Sequence, residues 1–224
     1  MLKEALSIDP NYTGAMVQLA FSYRNEARFN VSADKEECLQ LAEQQVERAL
    51  EIDPGLGMAY AMKGDIAFLR DQHDEAIRLC EKAVDLAPSD SWVSARLGVK
   101  YIYGGDPQRA VAALKTAMRL SPYHPAWYTY QFALANLWTG DLAAAQAAAE
   151  AHLEQEPDDP YSYIMLATVY GFQHREEDAV RTISELRNKF PAFGMGDIIL
   201  SQRYKEREKL DRVVEVLRRA GLPG

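Results

Sequence analysis

Prolines interrupt this chain at a regular interval. Six of them close successive segments, at positions 10, 54, 88, 122, 157 and 191. Neighbouring members of this series lie 44, 34, 34, 35 and 34 residues apart. Proline ends a helix because its ring fixes φ and because it has no backbone N–H to donate. A helix-ending signal that recurs at this interval predicts an array of internal repeats, with one insertion of ten residues in the first of them.

Each interval has the pattern of two packed amphipathic helices. Small residues stand where two helices approach closely, and larger apolar residues fill the space between them. In residues 89–122 these positions are Leu97, Gly98, Tyr101, Ala110, Leu114 and Ala117. Gly104-Gly105-Asp106 and Gly140-Asp141 supply a helix-ending glycine and then an aspartate that can cap the next helix. The segment 71–74 is expected to do the same without glycine, and no stretch of the chain alternates as a strand requires.

This pattern resembles the tetratricopeptide repeat, a helix–turn–helix unit of 34 residues. The resemblance covers nearly the whole chain. It implies an all-α fold, a right-handed α-α superhelix or solenoid of about five helix-pair repeats with capping helices at its ends. We interpret residues 1–224 as one such domain with these segments: the end of a preceding repeat at 1–10, repeats at 11–54, 55–88, 89–122, 123–157 and 158–191, and capping helices at 192–224.

Three segments depart from the regular repeat. The insertion falls near residues 26–37, where Ser32 or Asp34 is expected to cap the following helix, and an extra turn of helix and loop explains it better than a contact with a partner. Residues Leu2 to Ile8 have the pattern of a second helix whose first helix is missing, so we expect a longer protein to continue upstream. Near the C-terminus, a capping helix is predicted from apolar residues at helical spacing: Leu210, Val213, Val214 and Leu217.

The charge balance argues against several classes of partner. The formal net charge is −8, and affinity for nucleic acids or anionic membranes comes largely from lysine and arginine. The two cysteines, Cys38 and Cys80, are too few for a disulfide framework and suit a reducing compartment as small buried residues. No apolar run is long enough to span a membrane, and the first residues do not resemble a signal peptide. We therefore expect a cytoplasmic protein without nucleic-acid or membrane partners.

No residue pattern predicts catalysis. The four histidines are His73, His124, His152 and His174, and none lies at metal-ligand spacing from another histidine or cysteine. His73 and His174 are expected in solvated turns, and His152 occupies a position that is small in other repeats. Phosphate-binding loops and nucleophile elbows are missing. We predict a non-catalytic protein without cofactor, metal or catalytic residues.

Aromatic residues form the candidate binding site. In tetratricopeptide proteins the first helices of successive repeats line the inner surface, and the family's inward positions hold all three tryptophans here. The resemblance implies a protein- or peptide-binding groove of Phe68, Trp92, Tyr103, Trp127, Tyr130, Trp138, Tyr161 and Phe172, with Ile102, Leu134 and Ile164 beside them. Arg24 is the one basic residue at these positions, so the lysine and asparagine clamp of some co-chaperones is not evident.

Such a groove suits an amphipathic helix or an extended apolar segment, because buried aromatic anchors carry much of the binding energy at interfaces. Two other occupants stay open. The chain's own C-terminal helix can fold back into the groove, or a second copy can cover it.

Two stretches carry a narrower resemblance. Leu217 to Pro223 and Pro122 to Tyr128 are similar to the C-terminal repeat region of bacterial class III adenylate and guanylate cyclases, although no cyclase metal-binding or nucleotide-reading residue can be placed here. The resemblance implies a scaffold that forms the regulatory C-terminal part of a bacterial signalling protein. The alternatives are a self-association element that dimerises its parent, or the repeat region of a bacterial transcriptional regulator.

Overall fold

The computed structural model describes residues 1–29 and 34–224. Within these ranges every element of regular secondary structure is an α-helix, which confirms the all-α prediction. The helices are α1 (Leu2–Ile8), α2 (Thr13–Phe29), α3 (Lys35–Ile52), α4 (Gly57–Leu69), α5 (His73–Leu86), α6 (Ser91–Gly104), α7 (Pro107–Leu120), α8 (Ala126–Thr139), α9 (Leu142–Gln155), α10 (Pro160–Phe172), α11 (Glu176–Lys189), α12 (Met195–Ser201) and α13 (Arg207–Arg219).

The chain forms two compact units, Met1–Lys100 and Tyr101–Gly224, which divide within α6. In the N-terminal unit α2 packs against α3 and α4 against α5, and α3 and α4 join these pairs. In the C-terminal unit α8 packs against α9 and α10 against α11, with α9 and α10 in contact. Consecutive helices therefore pair within each unit. The division of residues 1–224 into five repeats of one domain stays a prediction.

The first helix pair is the longest in the N-terminal unit. Helices α2 and α3 have 17 and 18 residues, whereas α4 and α5 have 13 and 14. Additional helical turns thus account for much of the predicted insertion at residues 26–37. Asp34 caps α3 as predicted, since its side chain accepts a hydrogen bond of 3.0 Å from the Glu37 N–H. The other predicted cap, Ser32, lies outside the described residues.

Capping aspartates begin several of the later helices, and two of them follow a glycine turn. Asp106 accepts a hydrogen bond from the Arg109 N–H at 3.1 Å, and Asp141 accepts one from the Ala144 N–H at 3.0 Å. Both caps were predicted from the glycine–aspartate turns. In the segment 71–74 the turn forms without glycine as predicted, because Asp71 takes the left-handed conformation with a φ of 61°, but the prediction of a capping aspartate is wrong. The cap position there is Gln72, whose side chain makes no capping bond.

Small residues allow the paired helices to approach closely. A Cβ atom built on Gly64 in α4 would lie 2.5 Å from the Sγ atom of Cys80 in α5 and 3.1 Å from the Ala76 carbonyl oxygen. Cys80 and Ala76 are fully buried at this contact, as Ala149 is in α9. The spacing of small residues read from the sequence therefore marks real points of close helix–helix contact.

Helices α12 and α13 cover the last helix pair. Leu210, Val213 and Leu217 of α13 are buried, as the sequence predicts, and Val213 and Leu217 share a core with Ile164 and Ile183 of α10 and α11. Contact with α10 is close, because a Cβ atom on Gly171 would overlap Val216. The apolar face of α13 thus closes the C-terminal end of the hydrophobic core.

Substituting Gly64 by alanine tests the close contact between α4 and α5. We expect Gly64→Ala to lower the free energy of unfolding by roughly 1–3 kcal/mol, because the added methyl group overlaps a buried Cys80 that has little room to move. Urea denaturation measures the difference. Gly196→Ala in α12 is the control, since its Cβ meets nothing within 4 Å and its stability should rise or stay unchanged. Equal stabilities of both variants would contradict the packing account.

Candidate functional site

The eight predicted groove residues fall in both units. Phe68 and Trp92 belong to the N-terminal unit, and the remaining six belong to the C-terminal unit. Phe68 and Tyr103 are buried, at 6% and 5% exposure. The other six are partly exposed: Trp92, Trp127, Tyr130, Trp138, Tyr161 and Phe172. Two of the eight predicted groove residues are therefore closed to a partner, and the others divide between the two units.

In the C-terminal unit, Tyr204 occupies part of the predicted groove. Its ring lies against Tyr103, with centroids 4.9 Å apart, and meets the edge of Trp138 at 5.5 Å. The indole Nε1–H of Trp138 donates a hydrogen bond of 3.1 Å to the Tyr204 hydroxyl oxygen. The next residue, Lys205, donates its backbone N–H to the Tyr103 carbonyl oxygen at 2.9 Å. These contacts bury Tyr204, and burial raises the pKa of its hydroxyl well above the ordinary value.

Basic side chains of α13 complete this arrangement. Arg212 lies over the ring of Phe172, with 4.9 Å between the guanidinium carbon and the ring centroid, and 5.8 Å from that of Trp138. Lys209 lies 5.7 Å from the Trp138 centroid, and Trp138 meets Phe172 edge to face at 5.5 Å. Cations over aromatic faces are stabilising. The chain's own C-terminal segment thus contacts three of the predicted groove residues, and it does so through Tyr204, Lys209 and Arg212.

The other aromatic residues of the C-terminal unit also have neighbours inside the unit. Trp127 meets Tyr128 edge to face at 4.4 Å, and Tyr161 meets Phe193 at 5.3 Å. Tyr130 contacts the ring of His152 at 5.4 Å. His152 is 2% exposed, and burial lowers the pKa of its imidazole.

In the N-terminal unit the partly exposed Trp92 meets Phe21 edge to face, with ring centroids 6.4 Å apart. Phe68 is instead enclosed, by the ring of His73 at 5.6 Å and the Lys100 ammonium nitrogen at 4.8 Å. His73 is 9% exposed, so the prediction of a solvated turn residue is wrong for it. His174 is exposed in a turn, as predicted.

Next to Trp92 lies a cluster of buried charges, which we call the Asp65 cluster: Asp65 of α4, Arg24 of α2, and Arg96 and Lys100 of α6. Their side chains are between 0% and 8% exposed. Arg96 donates to both carboxylate oxygens of Asp65, with 2.9 Å between its Nε and Oδ1, and Lys100 donates to Oδ1. The Nε of Arg24 stands 3.5 Å from Asp65 Oδ2 and has no hydrogen-bond partner.

The charges of the Asp65 cluster shift one another's pKa values. Burial raises the pKa of Asp65, but Arg96, Lys100 and Arg24 outweigh that effect and hold it well below the ordinary value. Burial lowers the pKa of Lys100 to about 8 and that of Arg24 to about 9, although Asp65 acts in the opposite direction on both. The three cations therefore keep the Asp65 carboxylate ionised at neutral pH.

Most of this cluster was not predicted from the sequence. Arg24 was predicted as the one basic residue at inward positions, and the structure brings Arg96 and Lys100 to the same place. A signal was present, because Trp92, Arg96 and Lys100 follow one another at intervals of four and so share one face of α6. Asp65 also directly precedes the apolar stretch Ile66 to Leu69. A carboxylate buried in such surroundings without a partner is costly.

The described part of the chain contains no group of three or more histidine, cysteine, aspartate or glutamate side chains that could hold a metal ion. Cys80 is fully buried, and burial raises its pKa to about 12, which disfavours the reactive thiolate; Cys38 is half-buried rather than buried as predicted. No helix in the described ranges has the length and hydropathy to cross a membrane.

Comparisons with known proteins agree with this architecture. The tetratricopeptide repeat family model matches residues 67–131, from the end of α4 into α8. The chain superimposes on PilW, a type IV pilus biogenesis factor, with a TM-score of 0.70 at 17% identity over 93% of this chain and 88% of PilW. The chain has the tetratricopeptide repeat fold. No curated protein matches its sequence.

Two further solved structures are similar. The APC/C hetero-tetramer Cut9–Hcn1 gives a TM-score of 0.74 at 18% identity, over 92% of this chain and 38% of the other. YrrB, a tetratricopeptide protein with an unusual peptide-binding site, gives 0.59 at 18% identity over 89% of this chain and 95% of its own. At these identities the likeness shows the fold alone.

Truncation of Tyr204 tests its place in the C-terminal tetratricopeptide unit. We expect Tyr204→Ala to lower the free energy of unfolding by roughly 3–5 kcal/mol, because a buried ring and its contacts with Tyr103 and Trp138 are lost. Tyr204→Phe, which loses only the hydrogen bond from Trp138, should cost about 1 kcal/mol. Denaturation followed by tryptophan fluorescence measures both. The exposed Tyr123→Ala is the control, and a Tyr204→Ala variant as stable as this control would disprove the contact.

His152 provides a pH test. Its pKa is lowered in the folded state, so unfolded chains bind more protons than folded ones. The contribution of His152 to stability is therefore fully present above the unfolded pKa of about 6.5 and is lost as the pH falls below that value. We expect wild-type Tm to fall more between pH 7.5 and 5.5 than that of His152→Ala, which restores the small residue of other repeats. Parallel pH profiles of the two proteins would show that His152 is not the titrating group.

Proposed function

We propose that this chain is a non-catalytic protein-binding scaffold whose ligand-binding surface lies in the N-terminal unit. One observation carries the proposal: Trp92 and Phe21 form a partly exposed aromatic pair directly beside buried cations, with Arg96 at 5.5 Å from the Trp92 ring and Arg24 at 5.8 Å from Phe21. Tryptophan and arginine are the residues most often found as energetic anchors of interfaces. An aromatic and cationic surface of this kind suits a peptide segment.

The C-terminal unit supports this assignment by contrast. Its groove residues Tyr103, Trp138 and Phe172 contact Tyr204 and Arg212 of the same chain, so a partner would first have to displace that segment. Trp92 packs on the small core cluster of Ala61, Ala83 and Val93 and against Phe21, and it stays partly exposed. The peptide-binding site of YrrB and the assembly of Cut9 with Hcn1 are precedents for binding by this fold.

For the parent protein we propose a bacterial signalling protein, with a class III nucleotide cyclase upstream. The supporting observations are the two stretches that resemble that family, 122–128 and 217–223. The second has a structural role as well, because Gly221 ends α13 with a φ of 90° and the Pro223 carbonyl oxygen accepts a hydrogen bond of 2.8 Å from the Met195 N–H. Sequencing of the gene upstream of residue 1 tests this proposal, and an open reading frame without a cyclase domain would contradict it.

Site-specific photo-crosslinking tests the binding surface. We expect a photo-reactive phenylalanine analogue at position 92 to give one discrete adduct in cells, because Trp92 lies at the proposed interface. The same analogue at Asp85, an exposed position of α5, is the matched control and should give none. Equal labelling from both positions, or none from either, would contradict the proposal.

Light scattering across a concentration series separates the two kinds of partner. A constant monomer mass together with a heterologous adduct at position 92 supports binding of another protein. An adduct of twice the chain's mass, together with a mass that doubles with concentration, identifies the self-association element instead. Trp92→Ala should then abolish the dimer.

A further inference from the structure

His152 is a buried imidazole at the junction of α8, α9 and α10. Three earlier segments carry a fully buried alanine at the same distance from their closing proline: Ala49, Ala83 and Ala117. The ring of His152 is 2% exposed, and neither of its nitrogens has a hydrogen-bond partner among the described residues. Buried polar groups ordinarily have partners. Packing alone therefore does not explain an imidazole at this position.

Groups from all three helices face the ring of His152. On α8, the ring of Tyr130 meets it edge to face with centroids 5.4 Å apart, and the backbone of Ala126 lies near it. At the start of α10 the Oδ2 atom of Asp159 stands 4.0 Å from Nε2, and Glu156 ends α9. Burial lowers the pKa of the imidazole more strongly than the two carboxylates raise it, so the ring is neutral at neutral pH.

Protonation places a cation in this junction. An imidazolium has two N–H donors, and a buried cation needs an anion beside it. Asp159 can provide one, because its Oδ1 caps α10 through the Tyr161 N–H at 3.0 Å while its Oδ2 faces the ring and the side chain is 38% exposed. The two groups must approach by about 1 Å to form a hydrogen bond. Movement of the ring toward Asp159 changes its packing against Tyr130.

Tyr130 connects this junction with the covered groove. Its ring contacts His152, and it also lies within electrostatic range of Tyr204: burial raises the pKa of Tyr204, and the hydroxyl groups of Tyr103 and Tyr130 raise it further. Tyr204 in turn packs on Tyr103 and Trp138. A chain of contacts thus runs from a titratable ring to the side chain that closes the groove of the C-terminal unit.

We propose that His152 is a proton-dependent switch that controls whether Tyr204 covers the aromatic groove of the C-terminal unit. With a neutral ring the junction is packed and the groove is closed. With a protonated ring His152 turns to Asp159, Tyr130 loses its contact, and Tyr204 is released. The groove is then open to a partner under mildly acidic conditions only. Because this switch does not involve Trp92, its failure leaves the proposed N-terminal binding surface intact.

Acrylamide quenching of one tryptophan measures the cover on the groove. In the full chain with Trp92→Phe and Trp127→Phe, Trp138 is the remaining tryptophan. We expect its Stern–Volmer constant to rise about twofold or more between pH 7.5 and pH 5.0, because the ring of Tyr204 no longer covers the indole.

Three kinds of variant in this background identify the titrating group. His152→Gln and His152→Ala remove the proton-binding ring, so quenching should not depend on pH. Asp159→Asn keeps a capping side chain and removes the anion, so the midpoint should move to lower pH. His174→Asn is the matched control and should keep the original profile, because His174 is exposed in a turn with a φ of 59° that asparagine tolerates.

Far-UV circular dichroism at each pH separates a local switch from unfolding. Constant helix content, together with a rise in quenching that both His152 variants abolish, supports the switch. Three results would overturn it: quenching of Trp138 that does not change with pH, a rise that persists without His152, and a rise that coincides with loss of helix content. The N-terminal binding surface is judged separately, by crosslinking at position 92.

Discussion

The close approach of paired helices is the constraint on which the rest of this structure depends. Gly64 and the buried small residues opposite it bring α4 and α5 together, and corresponding alanines do so in later pairs. Core side chains of helices packed this closely interdigitate as densely as molecules in a crystal. Each helix therefore turns the same side chains toward its neighbour. The side chains of α2, α4 and α6 thereby meet at one place, and those of α8, α10 and the C-terminal segment at another.

Each meeting place is filled in a different way. In the C-terminal unit Tyr204 of the same chain packs among the aromatic residues. Its hydroxyl oxygen accepts a hydrogen bond from Trp138, and the backbone N–H of the next residue donates to the Tyr103 carbonyl oxygen. In the N-terminal unit four charged side chains meet beside the rings of Phe21 and Trp92. The first arrangement is covered by a segment of the same chain, whereas the aromatic pair beside the second is partly exposed. This difference is the physical reason to place the partner on the N-terminal unit.

Repeat period, helix content and most turns could be predicted because they depend on local signals, such as the prolines at intervals of about 34 residues and the caps Asp106 and Asp141. The groove was harder to predict. Family register placed Trp92 and Trp138 at inward positions, but it gives no information on what covers them. Tyr204 reaches Trp138 from 66 residues away through a non-helical segment that has no period. Arg96 and Lys100 were not predicted because the family register does not show which charged side chains a neighbouring helix buries.

The central claim is that a partner binds at α2, α4 and the first half of α6 rather than at the aromatic groove of the C-terminal unit. Hydrogen–deuterium exchange of the full chain, with and without the partner captured at position 92, tests it most directly. We expect new protection in residues 13–29 and 91–100 and no change in residues 202–206. Protection confined to the C-terminal unit, or faster exchange of residues 202–206 as the partner displaces Tyr204, would contradict it.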